Sequence, residues 1–486
     1  MRWLSALILC SLLWPLAAAA DQDLQPLLEK IEATRREHAI PGVGMAIVSR
    51  DKVLWVGGLG AMDLDTRHPV TADTIFRIGS VTKMFTALGL IMLDEEHKLR
   101  LEGPVREFAP DAPYTNPTEQ SHPVTIAQLL EHTAGLQDLT KAQFEHSDPK
   151  PLTLEEGLAF DAASRTVRWK PGLHAVYSNA GYGLAGYVLQ TVAMMRYEDF
   201  ISERIFRPLR MTSSGFFLND QSAARLATGY ATDATTPLPY WHMLMRPFGG
   251  INSTPRDMAT FVRLLLNYGF TDDQRLVHPQ SISRMEVPLT SLAARNGLLY
   301  GYGLGNNQKF RRGVLFAGHG GDADGYLSQL GYNRDTGMGY FIVINAFRYR
   351  ALSEMRREIE TWIMRDLDVL RPAPAAKLSD AVLQRFVGDY DLAAWRFTWT
   401  TRAEVAEQAM RVTLANGALY SQIGTHGKQE LVPVNEQQFR RRGEPTATCA
   451  FVEDVDGTVY FEEDESWRKR GTGPAESDWP GALSAP

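Results

Sequence analysis

Phe76-Arg77-Ile78-Gly79-Ser80-Val81-Thr82-Lys83-Met84-Phe85 sets a serine three residues ahead of a lysine where an amphipathic pattern begins. From 80 to 96 the apolar side chains Val81, Phe85, Leu88 and Met92 return every three to four residues, the spacing of a buried helical face. Ser80 then lies in the first turn, where its hydroxyl and the Lys83 amine share one side of the helix. The free N–H groups and positive dipole end of that turn favour a developing alkoxide. An ammonium desolvated by its neighbours loses its proton near neutrality. The stretch therefore describes an activated nucleophile. Ser-x-x-Lys also occurs at Ser49 and Lys52, Ser147 and Lys150, and Ser466 and Lys469. Those copies fall in a turn, across Pro149, and in a charged stretch near the C-terminus; Ser80 alone opens a helix.

Upstream, residues 21–38 read as a helix with Leu24, Leu27, Leu28 and Ile31 on one stripe. Residues 43–48 and 53–56, joined by a polar turn over 49–52, predict a hairpin and the start of a mixed or antiparallel sheet. Downstream, 97–123 is a Pro-rich loop, and Thr125 with Gln128 forms a capping box for a short helix ending near Gly135. His132 reads as a histidine hydrogen-bonded within a packed turn, since nothing near it in sequence completes a triad. Past the turn at 169–172 comes Tyr177-Ser178-Asn179. A tyrosine beside a lysine and a second positive group can be drawn toward phenolate, and an asparagine amide can hold a substrate carbonyl. Thr254-Pro255-Arg256-Asp257 opens another helix, with Asp257 returning to the cap. His319-Gly320-Gly321-Asp322 ends a strand over 314–322 in small residues, as where a ligand or another backbone approaches closely. Strands over 326–332 and 338–345 and a helix over 352–367 close this domain.

The 486 residues suffice for two domains, and 44% apolar content suits a packed core. Met1-Arg2, the apolar run 3–16 and Ala17-Ala18-Ala19-Ala20 match a secretory signal cleaved after Ala20. Export to the periplasm or medium is the expectation, with no stable membrane insertion after cleavage. Cleavage removes Arg2 alone among charged residues, leaving a chain one unit more acidic than the −7 of the whole. An acidic chain argues against nucleic acid as a partner. Cys10 lies in the signal, so Cys449 has no intramolecular disulfide partner. No His-x-x-x-His or comparable cluster occurs among the 11 histidines, so neither a metal nor another cofactor is expected. Oligomeric state is not legible. The expected domains are a signal over 1–20, a catalytic domain over 21–370, a linker over 371–377, and a small all-β domain over 378–486. The last rests on short alternating segments with turns at Asn416-Gly417 and Asp456-Gly457. The Arg440-Arg441-Arg442 run within it reads as a solvated turn.

Ser80-Val81-Thr82-Lys83, Tyr177-Ser178-Asn179 and His319-Gly320-Gly321, in that order, resemble the motif set of the penicillin-recognising serine hydrolases. The match is closest to the branch of class C β-lactamases, esterases, D-peptidases and D-aminopeptidases. Flanking stretches at 76–80, 129–136, 171–183 and 249–261 are similar too, so the resemblance runs over roughly 24–368. It implies an α/β/α sandwich with an antiparallel sheet beside a helical subdomain, the site lying between them. By motif, Ser80 would be acylated, Lys83 and Tyr177 would share the base and acid roles, and Asn179 would orient the substrate's amide or ester carbonyl. The N–H groups of Ser80 and Asp322 would form an oxyanion hole, in which one donor is typically worth about 3 kcal/mol. His319 departs from the lysine of true β-lactamases of this kind. Histidine is only partly charged near pH 7, which weighs against efficient β-lactam hydrolysis and favours an esterase or peptidase-like activity on a small molecule or peptide. The segment around 386–390 resembles lipocalin-like domains appended to some members, which would cover the cleft or bind a partner. The rival readings are a genuine β-lactamase and a silent binding or regulatory protein that keeps the fold; retention of all three motif elements weighs against silence.

Overall fold

The computed structural model describes residues 24–368 and 372–474; the expected signal over 1–20, with Cys10, lies outside the described residues. The helices that frame the site are α1 (Gln25–Glu37), α2 (Thr82–Glu95), α3 (Ile126–Leu130), α4 (Asn179–Ala193), α5 (Pro255–Leu266) and α6 (Tyr349–Ile363). The strands β1 (Gly42–Ser49), β2 (Val53–Gly60), β3 (Asn307–Arg311), β4 (Val314–Ala323), β5 (Tyr326–Asn333) and β6 (Met338–Ile344) form one antiparallel sheet in the order β2-β1-β6-β5-β4-β3. Alternation along the central strands explains why both faces are covered. Val43, Met45 and Ile47 of β1 and Tyr340, Ile342 and Ile344 of β6 join a core with α1 and α6. Ala46 and Val48 of β1 and Phe341 and Val343 of β6 point the other way, toward α5 and the helical subdomain. The expected antiparallel α/β/α sandwich is the observed one.

α2 runs through the subdomain on the second face, with every residue from Thr82 to Leu93 buried. Phe85 stacks on Phe261 of α5 at 3.9 Å between ring centres and meets Phe206 edge-on at 5.7 Å. Burying such a side chain contributes roughly 1.5–3 kcal/mol, so the helix carrying Lys83 is anchored on all sides. The Thr125 capping box is formed as expected. At α5, Thr254 caps through the Asp257 N–H, but the Asp257 carboxylate turns away to accept from Ser213 N (2.9 Å) and Ser214 Oγ (2.8 Å). A tertiary pair of donors has displaced the local one.

Strands β7 (Gly388–Leu392), β8 (Met410–Ala415), β9 (Ala418–Ile423), β10 (Gln429–Pro433), β11 (Gln438–Arg441), β12 (Cys449–Glu453), β13 (Val459–Glu462) and β14 (Ser466–Lys469) close into an antiparallel barrel. Positive φ at Asn416 (50°) and Gly417 (73°) supplies the tight turn between β8 and β9. Phe439, Phe451, Phe461 and Trp467 fill the interior. The Arg440 to Arg442 run is not a solvated turn: its first two residues belong to β11, Arg440 donating to Ala373 O and Arg441 pairing with Glu463. The linker is likewise held, Ala376 N–H donating to Pro433 O at 2.9 Å. The barrel docks on the catalytic domain through an apolar patch that includes Leu173, Leu292 and Leu298 on one side and Ala450, Val452 and Tyr460 on the other. Polar ties surround it: Lys170 to Asp454 (3.0 Å), Lys309 to Asp464 (2.9 Å) and Ser466 Oγ to His174 Nδ1 (2.6 Å).

Candidate active site

Ser80 sits in a one-turn 3-10 segment, Gly79–Val81, that runs directly into α2. The edge of β4 lies against that turn. A Cβ on Gly79, whose φ is +52°, would stand 2.3 Å from Asp322 O, and one on Gly321 would stand 2.0 Å from Ile78 O. Only glycines allow this approach, and it sets Asp322, which pairs with Leu327 of β5, beside the serine. Tyr349 Oη donates to the Asp322 carboxylate at 2.8 Å.

Lys83 is fully buried, and its Nζ lies 3.0 Å from Ser80 Oγ, 2.6 Å from Asn179 Oδ1 and 2.7 Å from Phe248 O. Burial holds the ammonium well below the usual lysine range, opposed by Asp138 and assisted by Arg396. A neutral amine has two N–H groups and one lone pair. Asn179 Oδ1 and Phe248 O can only accept, so they take the two hydrogens and leave the lone pair facing the Ser80 hydroxyl.

Tyr177 precedes α4 and lines the cleft with Ser80, its ring centre 4.9 Å from Lys83 Nζ. Burial pushes its phenol up rather than toward phenolate, because desolvation outweighs the pull of the Ser80 hydroxyl and the Arg396 charge. His132, at φ +61°, accepts the Ser178 N–H on Nδ1 at 3.0 Å and packs its ring 4.2 Å from that of Tyr177. It is thus hydrogen-bonded within a packed turn, and that turn backs Tyr177. Its buried Nε2 has no hydrogen-bond partner.

His319 accepts from Tyr302 Oη on Nε2 (2.6 Å), and Nδ1 donates to Gly320 O. Burial drives its pKa down to about 3, so the imidazole is neutral and supplies no fixed cation. Gly320 and Gly321 line the same cleft of about 660 Å³, together with Ser80, Tyr177, Arg396 and Phe397. Structure thus gathers Ser80, Lys83, Tyr177, Asn179, His319, Gly320, Gly321 and Asp322 in one place.

Asp138 and Arg396 were not singled out by sequence. Asp138 accepts from Asn179 N (2.7 Å) and Asn179 Nδ2 (3.2 Å), which fixes the Asn179 amide with Oδ1 toward Lys83. Arg396, on the strap between β7 and β8, pairs with Asp138 at 2.7 Å and lies over the Tyr177 ring at 4.5 Å. The one signal of such a strap was aromatic density, Trp395, Phe397 and Trp399 within a loop.

A helix-flanked antiparallel sheet, with a serine and lysine paired against a tyrosine and asparagine at its edge, defines a serine hydrolase of the penicillin-recognising class. The Beta-lactamase family profile matches residues 23–360, and the chain belongs to that family. It is 26% identical over 451 residues to penicillin-binding protein 4* of Bacillus subtilis, covering 86% of this chain and 91% of that protein. It is 30% identical over 292 residues to protein Rv1367c of Mycobacterium tuberculosis, covering 54% of this chain and 71% of the relative. The octameric penicillin-binding protein homologue from Pyrococcus abyssi superposes with a TM-score of 0.60 at 24% identity, covering 92% of this chain and 100% of that one. D-alanine carboxypeptidase AmpC from Burkholderia cenocepacia gives 0.55 at 20% identity, with 69% and 99% covered. At these identities the two structures speak for the fold.

Proposed function

We propose that the chain is an exported hydrolase that cleaves an ester or amide through a Ser80 acyl-enzyme, with peptidase-like or esterase-like specificity. The observation that carries this reading is the Lys83 lone pair left facing Ser80 Oγ at 3.0 Å once two acceptors have taken the amine hydrogens. Lys83 takes the Ser80 proton as Oγ attacks the substrate carbonyl. The oxyanion is received by the N–H groups of Ser80 and Asp322. Tyr177, which keeps its proton, passes it to the leaving group, and water then releases the acyl group with the proton flow reversed. Asn179 keeps Lys83 aimed, and its amide borders the place of the substrate carbonyl.

A neutral His319 disfavours a substrate held by a cation at that position, which sets a peptide or ester ahead of a β-lactam. The Burkholderia neighbour is named a D-alanine carboxypeptidase; because a free C-terminal carboxylate would meet the same neutral His319 as a β-lactam's, D-amino-acid esters and amides without that carboxylate are the substrates to try first. The test is intact-mass spectrometry of the purified chain after a fluorophosphonate and, separately, a penicillin, followed by peptide mapping. A fluorophosphonate adduct on Ser80 that is absent in Ser80→Ala is expected, with Lys83→Ala and Tyr177→Phe each slowing it by roughly 10²–10⁴. No adduct on a folded chain would return the silent binding protein as the better reading.

A further inference from the structure

The strap over 393–400 belongs to the barrel, with Ala393 N–H bonded to Ser466 O of β14, yet its Arg396 reaches the catalytic centre 258 positions away. It is clasped there twice: Arg396 Nε donates to Asp138 Oδ2 at 2.7 Å, and Arg396 O accepts the Asp138 N–H at 2.9 Å. Phe397 and Trp399 stack at 4.7 Å and take the edge of Phe144, which pins the strap. The Asp138 side chain is 0% exposed, whereas that of Arg396 is 39% exposed. Asp138 in turn bonds both the N–H and the amide of Asn179, whose Oδ1 accepts from Lys83. A continuous chain of contacts therefore runs Arg396, Asp138, Asn179, Lys83, Ser80.

We propose that Arg396 is a positioning residue delivered by the barrel: by pairing with Asp138 it sets Asn179 and, through it, the Lys83 amine that faces Ser80. This rests on the acyl-enzyme reading above. The charge argument agrees with the geometry. Lys83 is faced by His132 and Asp138 from the loop after α3, by Tyr177 and Tyr182 at the start of α4, by His319 and Asp322 from β4, and by Arg396 from the strap. Burial keeps both histidines and both phenols neutral, and Asp322 is exposed to screening solvent. Burial sets the direction for Lys83, and among the charged groups the balance between Asp138 and Arg396 then adjusts it. Without the guanidinium a buried, uncompensated carboxylate would favour the ammonium, which has no lone pair for Ser80.

The test is the pH dependence of Ser80 phosphonylation by a fluorophosphonate, in which Oγ displaces fluoride from phosphorus, in the full chain, comparing wild type, Arg396→Lys, Arg396→Gln and Asp138→Asn/Arg396→Gln. Arg396→Gln should label about tenfold slower at pH 7, with the ascending limb moved to higher pH by on the order of one unit. Arg396→Lys should recover most of that loss. The double variant, which removes both charges, should bring the limb back, and it carries the test if Arg396→Gln alone does not fold. A limb unmoved by Arg396→Gln in a labelled wild type, or a shift the double variant does not relieve, overturns the proposal and leaves the acyl-enzyme reading standing. So does an effect confined to KM on an ester substrate, the signature of a group that only binds substrate. An unlabelled wild type sinks the acyl-enzyme reading and this proposal with it.

Discussion

Burial lowers the pKa of both Lys83 and His319, and the two cases have opposite uses. A deprotonated Lys83 offers a lone pair to Ser80; neutral His319 is locked between Tyr302 and Gly320 and presents no cation to the cleft. For His319 the linkage has a definite sign. Its pKa is about 3 in the fold against the ordinary 6.5 of histidine, so between those values the unfolded chain binds the extra proton. Its contribution is complete above pH 6.5 and is lost by about 1.4 kcal/mol per unit as pH falls toward 3. Urea unfolding at pH 7.5 and pH 5.0 should therefore differ by about 2 kcal/mol less in His319→Gln than in wild type. An unchanged difference would mean that His319 titrates in the fold as it does in the unfolded chain, so that it can carry charge at mildly acidic pH, and would reopen the case for a β-lactam carboxylate beside it.

At the scale of elements, the site depends on how closely β4 lies against the Gly79–Val81 turn. The proposed oxyanion hole draws one donor from each, so their separation is the quantity that matters. A Cβ on Gly321 would meet Ile78 O at 2.0 Å and Ser328 Oγ at 2.5 Å; the serine can rotate away, but only backbone movement can relieve the contact with Ile78 O. Gly321→Ala should cost roughly 1–3 kcal/mol in stability by thermal unfolding, and its Ser80 labelling should fall further than that loss explains. Wild-type labelling in this variant would show that the strand can retreat without opening the site. Elements with local signals were legible from the chain: α2, the Thr125-capped helix, the hairpin of β1 and β2, and β4. The Asp257 carboxylate was misread because its tertiary donors, Ser213 and Ser214, are distant in sequence and outcompete the cap.

At the scale of the molecule, the barrel is a component of the cleft as well as an appendage. Its docking patch is apolar at the centre and ion-paired at the edge. Leu298, 4% exposed in that patch, is not a member of the contact chain from Arg396 to Ser80. Leu298→Asp would bury a carboxylate without a partner, so the barrel should loosen while both domains stay folded. Calorimetry should then resolve two unfolding transitions, and the strap's Phe397 and Trp399 should become accessible to proteolysis at the neighbouring Arg396. A single transition with wild-type resistance would show that the edge ion pairs hold the barrel unaided.

Local chemistry determined what could be read directly. Ser80 and Lys83 share a helix turn, Tyr177 and Asn179 flank a cap, and His319 with its glycines ends a strand; each relation spans a few residues and follows from helical or strand period. A mixed or antiparallel sheet and a small all-β C-terminal domain were legible through alternation and turn residues, whereas the α/β/α sandwich was implied by the resemblance of the motif set. Tertiary structure alone decided the protonation of the site, because desolvation depends on what the whole fold packs around a group. It alone brought Asp138 and Arg396 together across 258 positions. No period or spacing links residues on separate domains, so the strap's place in the catalytic centre exists only in the folded chain.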